Sequence, residues 1–203
     1  IKQTYPSHGI VGEEYEETNL NSEFTWVIDP IDGTLSFIVG HKDFGTLIAL
    51  LHNKKPILGI INCPAHQERW IGIHNQPTTL NGTAVTTSNV QKIKDGYAFT
   101  SGLYFEDDKF KKDFHKIIQQ AKYYRFGGDC YMYGMLASGL IDIVIEDTLK
   151  IYDYMALIPV IEGAGGAVSD KNNKPITLES DGSFVATANA TLHKEVAEIL
   201  KSN

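Results

Sequence analysis

A short segment that follows an apolar run constrains this chain more than any other feature of its sequence: Asp29-Pro30-Ile31-Asp32-Gly33-Thr34. The apolar residues 24–28 predict a buried strand that leads into the segment. Pro30 has no backbone N–H and a fixed φ, so we expect the strand ladder to stop there. The turn after it would then bring Asp32 back beside Asp29.

This turn places several oxygen atoms in one small space. The carboxylates of Asp29 and Asp32, with the Ile31 carbonyl, form a set of hard ligands suited to Mg²⁺. Gly33 and Thr34 offer backbone N–H groups at the start of a short helix, where a phosphate group can bind. The alternative is an ordinary Asp-Pro turn followed by an Asp-Gly turn, and on this segment alone both interpretations stay open.

The pattern of the remaining chain predicts two different halves. In the first half, strands are predicted over residues 45–51, 57–62 and 68–74, with a tight turn at Asn81-Gly82. In the second half, strands are predicted over residues 97–101, 123–126 and 141–146, and helices over residues 110–121, 129–138, 153–163 (with a kink at Pro159) and 192–200.

We therefore predict an α+β fold, a layered α/β sandwich that forms a single domain over residues 1–203. An antiparallel sheet region (1–95) would be followed by a mixed α/β region (96–203), with the site in the crevice between them.

Charge and composition narrow the range of partners. The net charge is −7, and no basic stripe is present, which argues against a nucleic-acid partner. No apolar run approaches the ~20 residues that span a bilayer, and no secretory signal is visible, so we predict no membrane partner and a cytoplasmic location. Cys63 and Cys130 have no metal or redox spacing and are predicted to be buried free thiols.

Two further acidic segments accompany the central motif. Gly12-Glu13-Glu14 lies upstream, where a Glu pair by itself is usually a solvated surface feature. Tyr152-Asp153-Tyr154 places a carboxylate at the start of a predicted helix, where an N-cap is the ordinary explanation. That helix ends in Glu-Gly-Ala-Gly-Gly at residues 162–166.

In order and spacing, these three segments resemble the signature of the inositol monophosphatase superfamily, over residues 12–188. The resemblance implies a magnesium-dependent phosphatase with two or three Mg²⁺ ions per site, and Mn²⁺ would also fit. Its metal ligands would be Glu13, Asp29, the Ile31 carbonyl, Asp32 and Asp153, with Asp29 shared between two ions.

The same resemblance implies the roles of the remaining site residues. Gly33 and Thr34 would bind the phosphate, and Thr34 would also help to orient or deprotonate the attacking water. Thr34, Glu13 and Asp29 are therefore the expected catalytic residues.

Within the superfamily, the Gly127-Gly128-Asp129-Cys130-Tyr131 segment and Glu146 look most like the histidinol-phosphate phosphatase branch. Histidinol carries an ammonium and an imidazole, so we predict that Asp129 and Glu146 bind the substrate through charge-assisted hydrogen bonds. The alternatives are that Asp129 only caps the following helix and that Glu146 is only solvated at a strand end.

We predict the hydrolysis of L-histidinol phosphate to L-histidinol and phosphate, a step of histidine biosynthesis. The alternatives are an inositol monophosphatase and a non-catalytic relative that binds metal or phosphate.

The chain begins at Ile1 and reads as the middle of a longer protein. Members of the family carry an N-terminal helical stretch, part of which covers the active site and supplies a carboxylate partner for the threonine that matches Thr34. We therefore expect a phosphatase domain that lacks these helices and has reduced activity. A homodimer is expected from the resemblance alone.

Overall fold

The computed structural model describes residues 1–14, 18–19 and 21–201, which form two β-sheets and the helices around them. The strands are β1 Gly9–Gly12, β2 Phe24–Asp32, β3 Gly45–His52, β4 Lys55–Cys63, β5 Glu68–Ile73, β6 Thr79–Leu80, β7 Thr83–Ala84, β8 Tyr97–Thr100, β9 Tyr123–Phe126, β10 Ile143–Glu146, β11 Ala167–Ser169 and β12 Phe184–Thr187. The α-helices are α1 Thr34–Val39, α2 Asp108–Gln120, α3 Asp129–Ala137, α4 Ile151–Tyr154, α5 Leu157–Gly163 and α6 Ala190–Lys201. The predicted α+β class is confirmed.

The first sheet has the strand order β1-β2-β3-β4-β5-β6-β7. Strand β1 runs parallel to β2, and every other neighbouring pair is antiparallel. The predicted turn at Asn81-Gly82 joins β6 to β7. The second sheet, β11-β12-β10-β8-β9, is mixed because β8 runs parallel to both β9 and β10.

The expectation that the strand stops at Pro30 is wrong. Strand β2 continues to Asp32, and its register against β3 shifts between Asp29 and Asp32. A bulge leaves residues out of the ladder, so the missing N–H of Pro30 breaks no required bond. The Pro30 carbonyl accepts a hydrogen bond from the Thr46 hydroxyl at 2.9 Å. The bulge therefore keeps both aspartates at the end of one strand.

The single helix predicted over residues 153–163 is divided into α4 and α5. Met155 and Ala156 lie between them with helical dihedral angles. The interruption falls four residues before Pro159, which has no N–H to offer to the Met155 carbonyl and whose ring crowds it. Pro159 itself lies in the first turn of α5, where N–H groups have no acceptor within the helix.

The core of the first sheet depends on a close approach between α5 and two strands. A Cβ atom at Gly59 of β4 would lie 2.0 Å from the Ala156 carbonyl oxygen, and one at Gly72 of β5 would lie 2.3 Å from the Pro159 carbonyl oxygen. Only glycine fits at these positions. Because α4 directly precedes α5, this packing also holds the Asp153 carboxylate of α4 close to the sheet.

The other face of the first sheet, which we call the outer face, is apolar but only half-buried. Neighbouring strands place its side chains side by side: Ile10, Trp26, Ile28, Ile48, Leu50, Leu58, Ile60, Ile71 and Ile73. Tyr5 and His8 lie against one edge of it, with ring centroids 6.2 and 6.4 Å from Trp26.

Candidate active site

Three of the predicted metal ligands meet at the end of β2. The carboxylates of Asp29, Asp32 and Asp153 each offer an oxygen within 4.8 Å of the others. Asp29 and Asp32 flank the bulge in β2, and Asp153 comes from α4, which packs on β2 and β3. Glu13 directly follows β1, whose last residue Gly12 pairs with Ile28, so this exposed carboxylate arrives beside Asp29.

Each of these three aspartates is held by a backbone N–H donor. Asp29 Oδ1 accepts from the Ile31 N–H at 2.9 Å, and Asp32 Oδ2 accepts from the Cys130 N–H at 2.7 Å. Asp153 Oδ2 accepts from the Lys150 N–H at 2.7 Å. Lys150 is the N-cap of α4, so Asp153 is the third residue of that helix and not its N-cap. These backbone donors hold one oxygen of each carboxylate in place.

Without a cation, burial and mutual repulsion disfavour the charged carboxylates of the cluster. Burial, followed by the charges of Asp32, Glu13 and Asp153, raises the pKa of Asp29 to about 8. Burial likewise raises the pKa of Asp32 to about 7, against the Cys130 hydrogen bonds that lower it. Burial also raises the pKa of Asp153 to about 6. A divalent cation would reverse this penalty by favouring the charged carboxylates.

A cavity of about 160 Å³ opens at this cluster. It is lined by the carboxylates of Glu13, Asp29, Asp32, Asp129, Glu146 and Asp153, together with Ile31, Gly33, Thr34, Ser101, Cys130, Tyr133 and Leu149. Among the described residues, the lining contains no lysine, arginine or histidine. The cavity thus brings together every residue that the sequence singled out as catalytic, metal-binding or substrate-binding.

The predicted phosphate seat lies at the beginning of α1. Gly33 is the N-cap and has a φ of 76°, which glycine adopts without strain. The Thr34 hydroxyl donates to the Ile31 carbonyl at 3.1 Å, so it lies beside one of the predicted metal ligands.

Asp129 does not cap its helix through its side chain. The N-cap of α3 is Gly128, with no side-chain cap, and Asp129 is the first helical residue. Its Oδ2 atom instead accepts a hydrogen bond from the Ser36 hydroxyl of α1 at 2.5 Å. The capping interpretation of Asp129 is therefore wrong, and the sequence offered no signal for its pairing with a serine 93 residues away.

Glu146 is not a solvated strand end, because it is only 5% exposed. Its Oε1 atom accepts hydrogen bonds from the N–H of Ser101, at 2.8 Å, and from the Ser101 hydroxyl. Its Oε2 atom accepts from the Tyr133 hydroxyl at 2.9 Å. Burial raises the pKa of Glu146, and these donors lower it. Neither partner could be predicted from the sequence, since Ser101 follows β8 and Tyr133 lies on α3.

Cys63 and Cys130 are free and buried, as predicted, with their sulfur atoms 4.0 Å apart. Cys130 lines the cavity, and its backbone N–H donates to Asp32 Oδ2. The structure gives their thiols a packing role.

The described residues thus form two sheets in an α+β fold, and an acidic cavity opens at the end of β2. The family model described as the inositol monophosphatase family matches residues 1–203, and the chain therefore belongs to that family. The resemblance carried by the three sequence motifs is confirmed.

Two curated relatives carry different names. The chloroplastic bifunctional phosphatase IMPL2 of Arabidopsis thaliana is 42% identical over 99% of this chain, which spans 61% of that relative's length. A histidinol-phosphatase of Chlorobaculum parvum is 31% identical over 98% of this chain and 77% of its own length.

A solved structure of an inositol monophosphatase from Zymomonas mobilis superposes with a TM-score of 0.92. It is 38% identical in sequence, and the match covers 99% of this chain and 78% of that one. Within the part of the chain that the structure describes, no helix has the length and apolar character needed to cross a membrane.

Proposed function

We propose that this chain hydrolyses a small phosphate monoester in a magnesium-dependent reaction. The observation that carries the proposal is the acidic cavity, because a phosphate could not enter a space lined by carboxylates without cations between them. The donor set fits the metal: carboxylate and carbonyl oxygens are the ligands that Mg²⁺ prefers, and Mn²⁺ accepts the same set.

The metal ligands are assigned to the predicted set: Glu13, Asp29, the Ile31 carbonyl, Asp32 and Asp153. By analogy with the family, these residues would hold two or three ions. When bound, such ions neutralise charge on the attacking and leaving oxygens of phosphoryl transfer.

The remaining contributions come from the chain itself. The backbone N–H groups of Gly33 and Thr34 bind the phosphate at the start of α1, and the Thr34 hydroxyl orients the attacking water. Its contact with the Ile31 carbonyl holds this hydroxyl at the edge of the metal cluster.

We propose L-histidinol phosphate as the substrate. Asp129 and Glu146 add negative charge to the cavity beyond the metal cluster, which suits a leaving group that carries an ammonium. The similarity to a histidinol-phosphatase supports this assignment. It would place the chain in histidine biosynthesis.

Inositol monophosphate is the second candidate substrate. The solved relative at 38% identity is named an inositol monophosphatase, and the most similar of the two curated relatives above is named bifunctional. A non-catalytic metal-binding or phosphate-binding role is a weaker alternative, because Glu13, Asp29, Asp32 and Asp153 are all retained.

Phosphate release from histidinol phosphate and from inositol 1-phosphate, with Mg²⁺ at roughly 5 mM, tests the proposal. We expect magnesium-dependent release that favours histidinol phosphate and that is lost in Asp29→Asn. A preference for inositol 1-phosphate would make the second candidate the function. Release that is unaffected by Asp29→Asn would contradict the metal assignment.

Three features of the protein stay predictions: a single phosphatase domain over residues 1–203, a homodimer and a cytoplasmic location.

A further inference from the structure

Helix α1 carries the phosphate seat and yet has almost no support from the rest of the molecule. None of its residues is buried, and Leu35, Ile38 and Val39 are 73%, 72% and 68% exposed. Its two ends are glycines in the left-handed region, Gly33 and Gly40. Such a helix needs tertiary contacts to hold one position, because its own hydrogen bonds are too few to do so.

Besides the Thr34 hydrogen bond to the Ile31 carbonyl, two side-chain contacts tie α1 to described residues farther along the chain. The Phe37 and Phe44 rings meet edge to face, with their centroids 5.0 Å apart. The Ser36 hydroxyl donates to Asp129 Oδ2, which links the helix to the beginning of α3. The first contact is a loop contact near the surface, whereas the second lies at the cavity itself.

The Ser36 contact also fixes the orientation of the Asp129 carboxylate. Asp129 has a φ of 40°, a backbone conformation that a non-glycine residue keeps only when its surroundings hold it. Its side chain lies directly against Gly33, where an added Cβ would be 2.9 Å from Asp129 Cγ. Ser36, Asp129 and the phosphate seat are therefore one packed unit.

The two extra carboxylates of the cavity differ in what they can still bind. Both Glu146 oxygens already accept hydrogen bonds from Ser101 and Tyr133. Asp129 has one oxygen on Ser36, and its Oδ1 atom has no partner among the described residues. Asp129 is thus the one of these two carboxylates with a whole oxygen available to accept a new, charge-assisted hydrogen bond from a ligand.

From this geometry we propose that Ser36 is a positioning residue for leaving-group specificity. It holds Asp129 so that Oδ1 accepts a hydrogen bond from the protonated amine of the leaving alcohol. It also fixes the distance between this contact and the phosphate seat. The inference rests on the proposed function for its substrate class, but it concerns discrimination between leaving groups and not the hydrolysis itself.

The test compares a cationic ester, histidinol phosphate, with a neutral one, inositol 1-phosphate, in the full chain with Mg²⁺. We expect Ser36→Ala to lower kcat/KM for the cationic ester about tenfold, mainly through KM, which corresponds to ~1.4 kcal/mol. Its effect on the neutral ester should stay within about twofold, the scale of a lost surface contact. Ser36→Thr, which keeps the hydroxyl, should restore the discrimination, and Asp129→Asn should remove it.

Phe37→Ala is the matched control, because it loosens α1 through its other contact and leaves Ser36 and Asp129 intact. It should affect both esters equally. If Ser36→Ala also affects both esters equally, the serine only supports the helix and the proposal is overturned.

A binding measurement separates this inference from the proposed function. Calorimetry with L-histidinol, in the presence of Mg²⁺ and inorganic phosphate, should show weaker binding to Ser36→Ala than to the unaltered chain. Binding of this kind without turnover would leave the inference standing and contradict the function. Turnover in which Ser36→Ala keeps the full preference for the cationic ester would support the function and contradict the inference.

Discussion

At the scale of single residues, the site is organised by backbone donors and not by cationic side chains. The N–H groups of Ile31, Cys130 and Lys150 each hold one carboxylate of the cluster. These bonds position the aspartates but do not neutralise them, so the raised pKa values of Asp29 and Asp32 remain. The folded chain carries this repulsion until cations bind.

The first prediction is that Asp29→Asn stabilises the metal-free protein at high pH. The folded pKa of Asp29 is about 8 against an ordinary 3.8, so its contribution to stability is present below about pH 4 and is lost as the pH rises towards 8. The melting temperature of Asp29→Asn should therefore match that of the unaltered chain near pH 4 and exceed it by an increasing margin up to pH 8.5.

Added Mg²⁺ should reverse the order at pH 8.5, because the unaltered chain gains metal binding and the variant does not. The exposed Asp95→Asn serves as the control for the loss of one charge, and it should show neither effect. A melting temperature of Asp29→Asn that falls below that of the unaltered metal-free chain at pH 8.5 would contradict the repulsion argument.

At the scale of elements, the sequence predicted the period of most helices and strands but not how proline acts within them. The sequence predicts that the strand ends at Pro30, but β2 continues through it in a bulge. A bulged residue needs no hydrogen bond to the neighbouring strand. Pro159 reads as a kink, and the interruption falls at its i−4 partner, Met155. Both outcomes depend on the neighbouring strand or helix, which a linear pattern does not contain.

The site shows the same division. Asp29, Asp32 and Glu13 could be predicted, because a local turn and a motif spacing bring them together. The pairs Ser36 with Asp129 and Ser101 with Glu146 could not, since contacts across 93 and 45 residues depend on how the elements pack.

The second prediction concerns the seam between α5 and the first sheet. Gly59→Ala would place a methyl group 2.0 Å from the Ala156 carbonyl oxygen, and only a shift of the helix backbone can relieve this clash. We expect a loss of about 3 kcal/mol in the free energy of unfolding. Because α4 precedes α5 directly, Asp153 should also move, and magnesium affinity should fall.

Gly102→Ala is the matched control, since an added Cβ there has no atom of the described residues within 4 Å. Its free energy of unfolding, measured by urea denaturation, should stay within about 0.5 kcal/mol of that of the unaltered chain. A loss at Gly59 no larger than at Gly102 would show that α5 does not depend on this close approach.

At the scale of the whole molecule, the first sheet is covered unequally on its two faces. Helices α4 and α5 pack on the face where Ile61 is fully buried, whereas the apolar side chains of the outer face are only half-buried. A continuous apolar patch of this kind is uncommon on a monomeric protein and marks a surface that another segment or molecule can cover.

The third prediction uses two adjacent residues of β4 that point to opposite faces. If the outer face is open in solution, Ile61→Ala should cost about 3 kcal/mol in the free energy of unfolding, because it leaves a cavity. Ile60→Ala should cost about 1 kcal/mol, because it removes area that is already partly in water. Equal losses at the two positions in urea denaturation would contradict this and show that Ile60 is covered. A loss at Ile60 that grows with protein concentration would identify a second copy of the chain as the cover, because dissociation then contributes to unfolding.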